Sequence, residues 1–334
     1  MKAMVLRAFG DIRENPLVLS AVPQPEPGPS EVLIKINFCG VCHTDLHTVE
    51  GELPDVRLPI VPGHQVVGIV EKPGQGTTRF KPGDRVGVAW LYSTCGHCRF
   101  CLSGRENLCE TARFTGYHVN GGYAEYIVVP EGFAYSIPGV FRDEEAAPLL
   151  CAGIIGYRAL KLSGVKPGGR LGLFGFGASA HVAIQVARHW GAQVFVFSRS
   201  EEHRALALKL GAAWAGRAED EPPAKLESAI IFAPAGGLVP EALLKLDRGG
   251  TLALAGIFMS PIPELDYGKY IYQERTLRSV ANATRKDGEE LLQVAAQIPI
   301  RTTAQLFSLE EANQVLGLLK AGRISGAAVL SVSG

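Results

Sequence analysis

From about residue 150, the chain alternates short apolar runs with segments of helical spacing, and this alternation limits the possible folds more than any other feature of the sequence. The apolar runs lack polar alternation, as expected for strands that are buried on both faces. They lie at residues 171–174, 194–197, 229–232 and 252–255, and the helical patterns lie at 178–189, 201–210, 240–246 and 287–297. Strands that alternate with helices form a parallel sheet with helices on its faces. The expected fold class is therefore α/β, with a doubly wound parallel sheet in the second half.

The first 140 residues follow a different pattern. Short apolar runs at 31–38, 66–70, 85–89 and 123–129 are separated by turns that contain Pro and Gly. Such runs predict strands joined by irregular loops, so this part is expected to be mostly β. With 334 residues, of which 47% are hydrophobic, the chain can bury a large core in one or two domains. That excludes disorder as its main state.

The charge balance argues against several kinds of partner. The 33 Lys and Arg residues match 33 Asp and Glu residues, which gives a formal net charge of zero. Nucleic acids and anionic membranes are bound by clustered positive charge, so neither is expected as a partner. The charge-free stretch at 171–187 contains three glycines and is shorter than a bilayer-spanning helix. Lys2 and Arg7 interrupt the N-terminus before an apolar run of signal-peptide length, so a cytoplasmic location is expected.

Four cysteines lie close together in the chain: Cys95, Cys98, Cys101 and Cys109. The cytosol keeps thiols reduced, so the seven cysteines are expected to be ligands or free thiols rather than a disulfide framework. Four thiolates on one loop provide the closed tetrahedral shell of a structural zinc. An iron–sulfur cluster is the chemical alternative, although no Pro follows the fourth cysteine and no second set of this kind occurs. A closed site has no free coordination position, so it stabilises a loop and does not catalyse.

A second candidate set consists of Cys42, His64 and Cys151. Two sulfurs and one imidazole are the ligands of an open zinc site, in which the fourth position takes water or substrate. Spacing alone does not distinguish this set from two buried thiols and a loop histidine. Cys39, the seventh cysteine, fits neither set and is expected to be a buried structural thiol.

The glycine-rich turn Gly175-Phe-Gly-Ala-Ser-Ala180 follows an apolar run and opens a helical pattern. In that context it predicts a dinucleotide-binding turn, because glycine permits close approach of the backbone and the helix N-terminus faces the pyrophosphate. The expected cofactor-binding residues are Gly175, Gly177, Ala178, Ser179 and Ala180.

The end of the next predicted strand bears on the choice between NAD and NADP. NAD sites usually present an acidic residue about 20 residues after the turn, but this chain has Ser198 and Arg199 there. A hydroxyl and a guanidinium are suitable donors for a 2′-phosphate, so the sequence favours NADP. The alternative is an NAD site without the usual carboxylate, or one in which Glu201 reaches back.

Taken together, these motifs resemble the zinc-containing medium-chain alcohol dehydrogenases. Gly40-Val-Cys-His-Thr-Asp, Pro62-Gly-His, the four-cysteine loop, Cys151-Ala-Gly and the glycine-rich turn occur in the order and at the separations of that family. Asp45-Leu-His, Glu50-Gly-Glu-Leu and Pro62-Gly-His-Gln resemble its cinnamyl-alcohol-dehydrogenase-like branch. The resemblance implies a mostly-β, GroES-like catalytic domain at 1–150 and 285–334. It also implies a Rossmann dinucleotide-binding domain at 151–284.

The resemblance also implies roles for single residues around a catalytic zinc. Cys42, His64 and Cys151 would hold the ion. Thr44 would contact the alcohol oxygen, and Asp45 would orient the histidine ligand.

Other implied roles concern proton transfer and binding. His47 would continue a proton relay, and His43 would lie near the pyrophosphate. Trp90 and Leu91 would line the alcohol pocket, which favours an aromatic or medium-chain aliphatic alcohol, with ordinary core packing as the alternative. Ile155 would pack behind the nicotinamide, where the family usually has Thr.

One residue departs from the family pattern beside a predicted zinc ligand. Gln65 follows the predicted zinc histidine, where most members of the family have Glu. An amide lacks the charge of a carboxylate, which puts in doubt any role of this position in exchanging the fourth zinc ligand. Zinc binding itself does not require that charge.

The sequence leaves three other functions open. Polyol dehydrogenases commonly lack the complete four-cysteine loop, and a zinc-free quinone reductase would not need the three ligand positions. A zinc ribbon that binds nucleic acid would explain only the four-cysteine loop, and the neutral charge argues against it. The expected protein is an enzyme that transfers hydride between an alcohol and a nicotinamide cofactor. It would carry two Zn²⁺ per chain and form a homodimer or homotetramer.

Overall fold

The computed structural model describes residues 1–298, 300–324 and 326–333, and the chain divides into two compact units. The first unit comprises Met1–Cys151, Thr284–Ala296 and Arg301–Gly334. The second comprises Ala152–Ala283 and Gln297–Ile300. None of the helices in the described part of the chain is long and apolar enough to cross a membrane.

The strands are β1 Lys2–Leu6, β2 Leu17–Ala21, β3 Glu31–Val41, β4 Gln65–Pro73, β5 Arg85–Val88, β6 Leu91–Ser93, β7 Arg113–Phe114, β8 Tyr126–Pro130, β9 Ala134–Ser136, β10 Arg170–Phe174, β11 Gln193–Phe197, β12 Trp214–Gly216, β13 Leu226–Ile231, β14 Leu246–Leu254, β15 Thr276–Ser279, β16 Ala304–Ser308 and β17 Ala327–Ser331. The helices are α1 His43–Glu50, α2 Arg99–Leu102, α3 Asp143–Ala146, α4 Ala152–Ser163, α5 Ala178–His189, α6 Glu201–Lys209, α7 Leu238–Lys245, α8 Tyr267–Tyr270, α9 Arg285–Gln297 and α10 Ala312–Lys320. Short 3₁₀ helices lie at Ile12–Glu14, Glu106–Leu108, Glu131–Phe133, Ala147–Leu150 and Leu309–Glu311.

The first unit is built on a sheet whose strands follow the order β16-β17-β3-β4-β5-β9, with β8 also paired to β3. Strands β3 and β4 are antiparallel, and Gly40 lies opposite Gln65 at the end of their ladder. Because antiparallel neighbours place the end of one strand beside the start of the next, the residues after β3 and before β4 lie close together. Cys42 and His64 occupy those two positions.

The second unit is a six-stranded sheet in the order β12-β11-β10-β13-β14-β15. All five strand pairs are parallel, which confirms the predicted α/β fold class. Strand β10 is the first of the sheet in the chain and lies between β11 and β13, so the direction of winding reverses at β10. Ligands of doubly wound sheets bind outside the carboxyl ends of the strands at that reversal. The core on one face contains Phe174 and Phe197, whose rings stack with centroids 4.1 Å apart.

A partly buried ion pair fixes the start of α9 within the first unit. Arg285 donates through its backbone N–H, Nε and Nη2 to the Glu106 carboxylate, over distances of 2.6–3.0 Å. Its guanidinium lies 4.4 Å from the centroid of the Phe133 ring. Glu106 is 8% exposed. Burial raises the pKa of Glu106, but the hydrogen bonds from Arg285 outweigh that effect and hold the pKa below 4.5.

We expect Glu106→Gln to lower the free energy of unfolding by roughly 2–3 kcal/mol at pH 7, because Arg285 loses its charged partner. The pKa of Glu106 is lowered, so its contribution is present above pH 4.5 and is lost as the pH falls. Denaturant unfolding at several pH values measures both effects. The control is Glu289→Gln, which removes an exposed ion pair with Arg79 and should cost less than about 0.5 kcal/mol. Equal losses in the two variants would contradict the assignment.

Candidate functional site

Cys42 is the N-cap residue of α1, directly after β3. Its Sγ accepts a hydrogen bond from the Thr44 N–H at 3.3 Å, and its own N–H donates to Asp45 Oδ2 at 2.9 Å. This reciprocal pair is a capping box with sulfur in the place of the usual hydroxyl. The thiol therefore sits at the positive end of a helix, which favours its thiolate form but does not outweigh Cys151 and burial, which raise its pKa.

His64 is fully buried and faces two sulfur atoms. Its Nε2 lies 3.3 Å from Cys42 Sγ and 3.3 Å from Cys151 Sγ. Its Nδ1 lies 3.0 Å from Asp45 Oδ1, and a carboxylate only accepts, so Nδ1 carries the proton. Nε2 is then the ring nitrogen that faces the sulfurs.

The three groups form one compact set whose ligand atoms all lie within 4.8 Å of one another. Tetrahedral zinc with two sulfurs and one nitrogen would separate sulfur from nitrogen by about 3.5 Å, so the set fits the ion. The hydrogen-bonded Cys151 thiol and burial raise the pKa of Cys42. Burial lowers the pKa of His64, but Asp45 and Cys42 outweigh it and the pKa is raised. Proton release from this buried set needs a compensating positive charge, which a divalent cation supplies.

The four cysteines of the predicted structural site also converge: Cys95, Cys98, Cys101 and Cys109. Their Sγ–Sγ distances are 3.6 Å for two pairs and 3.9 Å for a third. One tetrahedral zinc with four sulfurs requires about 3.8 Å. An iron–sulfur cluster places several metal atoms between its thiolates and would separate them further. Burial raises the pKa of Cys109, but hydrogen bonds from Cys95 and Thr111 outweigh it and lower the pKa to about 6.

The other residues assigned near the first cluster lie mainly on α1. Thr44 is 8% exposed, and the pKa of His43 is lowered by burial and by His47. His43 is therefore neutral at neutral pH and can offer only hydrogen bonds. The Nδ1 of His47 contacts the Glu52 carboxylate, and the sequence reasoning missed this partner. Gly51, with φ of +72°, ends α1 and turns the chain so that Glu52 comes back to His47.

An aromatic wall adjoins the histidine of the cluster. The rings of His64 and Trp90 meet edge to face with centroids 4.8 Å apart. Phe114 stacks on Trp90 at 5.2 Å, and Tyr117 lies 5.4 Å from it. The sequence reasoning missed Phe114 and Tyr117, although both belong to the aromatic-rich stretch after the fourth cysteine. Leu91 begins β6 and is 4% exposed, and this burial fits the packing alternative.

The glycine-rich turn lies between β10 and α5, at the carboxyl edge of the parallel sheet. Gly175 has φ of +86°, and a Cβ there would come within 3.0 Å of the Ala233 backbone, so this position requires glycine. Gly177 is the N-cap of α5, and a Cβ there would meet no atom within 4 Å. Ala178, Ser179 and Ala180 form the first turn of α5. Small residues thus leave the helix N-terminus open to an anion.

The residues assigned to the cofactor ribose follow β11. The Ser198 N–H donates to the Gly216 carbonyl of the neighbouring strand at 2.9 Å. Arg199 is exposed, and its side chain has no ion-pair partner among the residues that the structure describes. Arg204 donates to the carbonyls of Ser198 and Arg199 at 2.8 and 2.9 Å, which fixes the turn. Ile155 is half-buried on α4.

Known protein families match both parts of the chain. The family described as "Alcohol dehydrogenase GroES-like domain" matches residues 28–139, and the family described as "Zinc-binding dehydrogenase" matches residues 179–297. A "Probable alcohol dehydrogenase AdhA" of Mycobacterium tuberculosis is 49% identical over 337 residues, which cover 99% of this chain and 97% of that protein.

Solved structures resemble the whole chain. A cinnamyl alcohol dehydrogenase of Sorghum bicolor has a TM-score of 0.91 and 29% identity, and the match covers 100% of this chain and 98% of that one. A structure titled as CAD from Helicobacter pylori complexed with NADP(H) has a TM-score of 0.87 and 28% identity, with 99% of each chain covered.

We expect Cys98→Ser and Cys101→Ser to lower thermal stability and remove one bound metal ion, because the four-cysteine site contributes folding free energy and has no open position. Thermal unfolding and metal analysis of the purified variants measure both effects. Cys39→Ser, at a buried thiol outside either cluster, is the control and should leave the metal content unchanged. A variant of Cys98 or Cys101 that is fully stable but inactive would show that the roles of the two clusters are reversed.

Proposed function

The chain belongs to the zinc-binding alcohol dehydrogenases with a GroES-like domain, and from that membership we propose that it interconverts primary alcohols and aldehydes at a catalytic zinc. Cys42, His64 and Cys151 would hold the ion. The observation that carries the proposal is the meeting of two sulfurs and one nitrogen from three distant segments of the first unit. A set of three protein ligands leaves the fourth tetrahedral position for substrate.

When bound, the zinc supplies a Lewis acid that makes an alcohol proton acidic near neutral pH, and the nicotinamide coenzyme supplies the hydride acceptor. The protein residues around the ligands hold and move protons. Asp45 keeps the proton of His64 on Nδ1, so that Nε2 stays a ligand. The Thr44 hydroxyl would accept the alcohol proton and release its own proton, through the ribose of the bound coenzyme, to His47. The Nδ1 of His47 contacts the Glu52 carboxylate, toward which the proton would leave.

The proposed substrate is an aromatic or medium-chain aliphatic primary alcohol. Trp90 supports this proposal, because its ring lies against the ring of the ligand His64. Phe114 and Tyr117 extend the same apolar wall. Apolar walls with few polar groups favour ligands with an apolar body.

The proposed coenzyme preference is NADP. Support comes from Arg199, an exposed cation at the end of β11 without an ion-pair partner in the described part of the chain. Arg204 supports it indirectly, because its bonds to two carbonyls hold the turn in place. Guanidinium groups bind phosphate with charge-assisted hydrogen bonds.

Metal analysis separates the remaining functions. We expect close to two zinc ions per chain. A zinc ribbon would hold one, and a zinc-free quinone reductase would hold none. Oxidation of benzyl alcohol by the same preparation, compared with oxidation of sorbitol, tests the polyol alternative.

We expect Cys42→Ala, His64→Ala and Cys151→Ala to abolish alcohol oxidation and to retain one zinc ion, because the four-cysteine site is separate from this cluster. The measurements are kcat/KM with benzyl alcohol and zinc content by mass spectrometry. Cys39→Ala is the matched control, since it removes a buried thiol that belongs to neither cluster. Full activity in any one of the three variants would exclude that residue as a ligand.

We expect Arg199→Ala to raise the KM for NADPH by roughly ten- to a hundredfold and to change the KM for NADH little. A charge-assisted hydrogen bond is worth about 1.5–3 kcal/mol, and 1.4 kcal/mol corresponds to a factor of ten. The measurement is kcat/KM for both reduced coenzymes with benzaldehyde. Arg248→Ala, an exposed arginine in β14, is the control. A wild-type preference for NADH, or equal effects on both coenzymes, would show that Arg199 does not bind the phosphate.

A further inference from the structure

Two buried side-chain donors near the predicted zinc ligands make no close hydrogen bond to any described residue. They are the Gln65 Nε2 amide and the Tyr123 hydroxyl. Gln65 is 2% exposed and Tyr123 is fully buried. The large majority of buried side-chain polar atoms have a hydrogen-bond partner, so each exception requires an explanation.

Tyr123 is held tightly against the segment that carries His64. Its backbone N–H donates to the Pro62 carbonyl, and its carbonyl accepts from the Met4 N–H, both at 2.9 Å. Its ring packs on Gly63, where a Cβ would come within 2.4 Å of Cδ1. Gly63 needs to be glycine for this contact and for its φ of +97°.

Asp45 has one acceptor position left. Its two oxygens accept three hydrogen bonds, from the N–H groups of Cys42 and Gly63 and from His64 Nδ1, at distances of 2.9–3.2 Å. A carboxylate has about four lone-pair positions. Asp45 is 1% exposed, so bulk water does not fill the fourth.

We propose that Tyr123 is a positioning residue for the metal-ligating imidazole: its hydroxyl donates to Asp45 and thereby holds that carboxylate against His64. The inference rests on the proposed catalytic zinc site. Gly63 links the two residues in space. The Tyr123 ring packs on Gly63, and the N–H of Gly63 donates to Asp45. A fourth donor also offsets the cost of a buried carboxylate, which depends on complete hydrogen bonding.

The electrostatics of Tyr123 agree with this arrangement. Burial raises its pKa, the Asp45 charge is the next largest cause, and a side-chain hydrogen bond to Asp45 is a smaller one. The phenol therefore remains protonated and able to donate. Gln65 does not compete for Asp45: it is adjacent to His64 at the start of β4, and its side chain lies against Gly40.

The test is the rate at which zinc passes from the whole enzyme to an excess of 4-(2-pyridylazo)resorcinol. We expect Tyr123→Phe to accelerate release of one zinc by roughly ten- to a hundredfold, the usual effect of removing a group that supports a ligand. Release of the other zinc, from the four-cysteine site, should not change. In the cobalt-substituted enzyme, the visible absorption bands of the cluster should shift.

Tyr126→Phe is the matched control. Tyr126 also faces a carboxylate, that of Glu71, but it lies on β8 away from the ligands. It should release both zinc ions at the wild-type rates. In the Asp45→Asn background, Tyr123→Phe should have little further effect, because the carboxylate through which it acts is gone.

The inference is overturned if Tyr123→Phe releases zinc at the wild-type rate, or if its effect is unchanged in the Asp45→Asn background. Should Tyr123→Phe not fold, Tyr123→Met removes the same donor and is measured in its place. A wild-type enzyme that holds only the four-cysteine zinc would overturn the proposed function itself. A wild-type enzyme with two zinc ions and an unaffected variant would overturn the positioning role alone.

Discussion

The Asp45 carboxylate joins the segments that carry Cys42 and His64, two members of the three-residue cluster in the first unit. It is 1% exposed and accepts hydrogen bonds from Cys42 at the end of β3 and from Gly63 and His64 before β4. A buried anion is costly unless donors surround it. The backbone at Cys42 and Gly63 provides such donors, so the same bonds that stabilise the carboxylate also set the distance between the two ligands. The hydrogen bonds that the local fold needs are therefore the same ones that place Cys42 and His64 beside each other.

Both units place reactive residues where strands end, but for different reasons. In the first unit, antiparallel pairing of β3 with β4 brings the end of one strand to the start of the other, although Cys42 and His64 are well separated in the chain. In the second unit, all strands run in one direction, so their carboxyl ends share an edge. There, the positive φ at position 175 and the close approach of Ala233 require glycine. A required glycine makes the turn recognisable from the sequence.

The second unit could be predicted well because its elements are local and strongly patterned. The predicted helix at 178–189 coincides with α5 Ala178–His189, and the predicted strand at 171–174 lies within β10 Arg170–Phe174. The predicted helix at 240–246 was wrong at its end, since Leu246 begins β14 and is fully buried opposite Leu226. Strands β16 and β17 were not predicted, because β17 pairs with β3, nearly 300 residues earlier, and β16 is held in the sheet by β17.

The two clusters could be predicted because cysteine and histidine at family spacing are rare, whereas the supporting contacts could not. The contact of His47 with Glu52 and the packing of Tyr123 on Gly63 depend on tertiary structure, and neither has a spacing of its own in the sequence. Gln65 is the converse case, because its departure from the family pattern is visible in the sequence, but its effect depends on the charges around it. A zinc ion and two thiolates would together be neutral, and Asp45 would add a negative charge through its hydrogen bonds to Cys42 and His64. The hydrogen bonds to Asp45 would then influence the negative potential at the metal, to which a neutral Gln65 adds no charge.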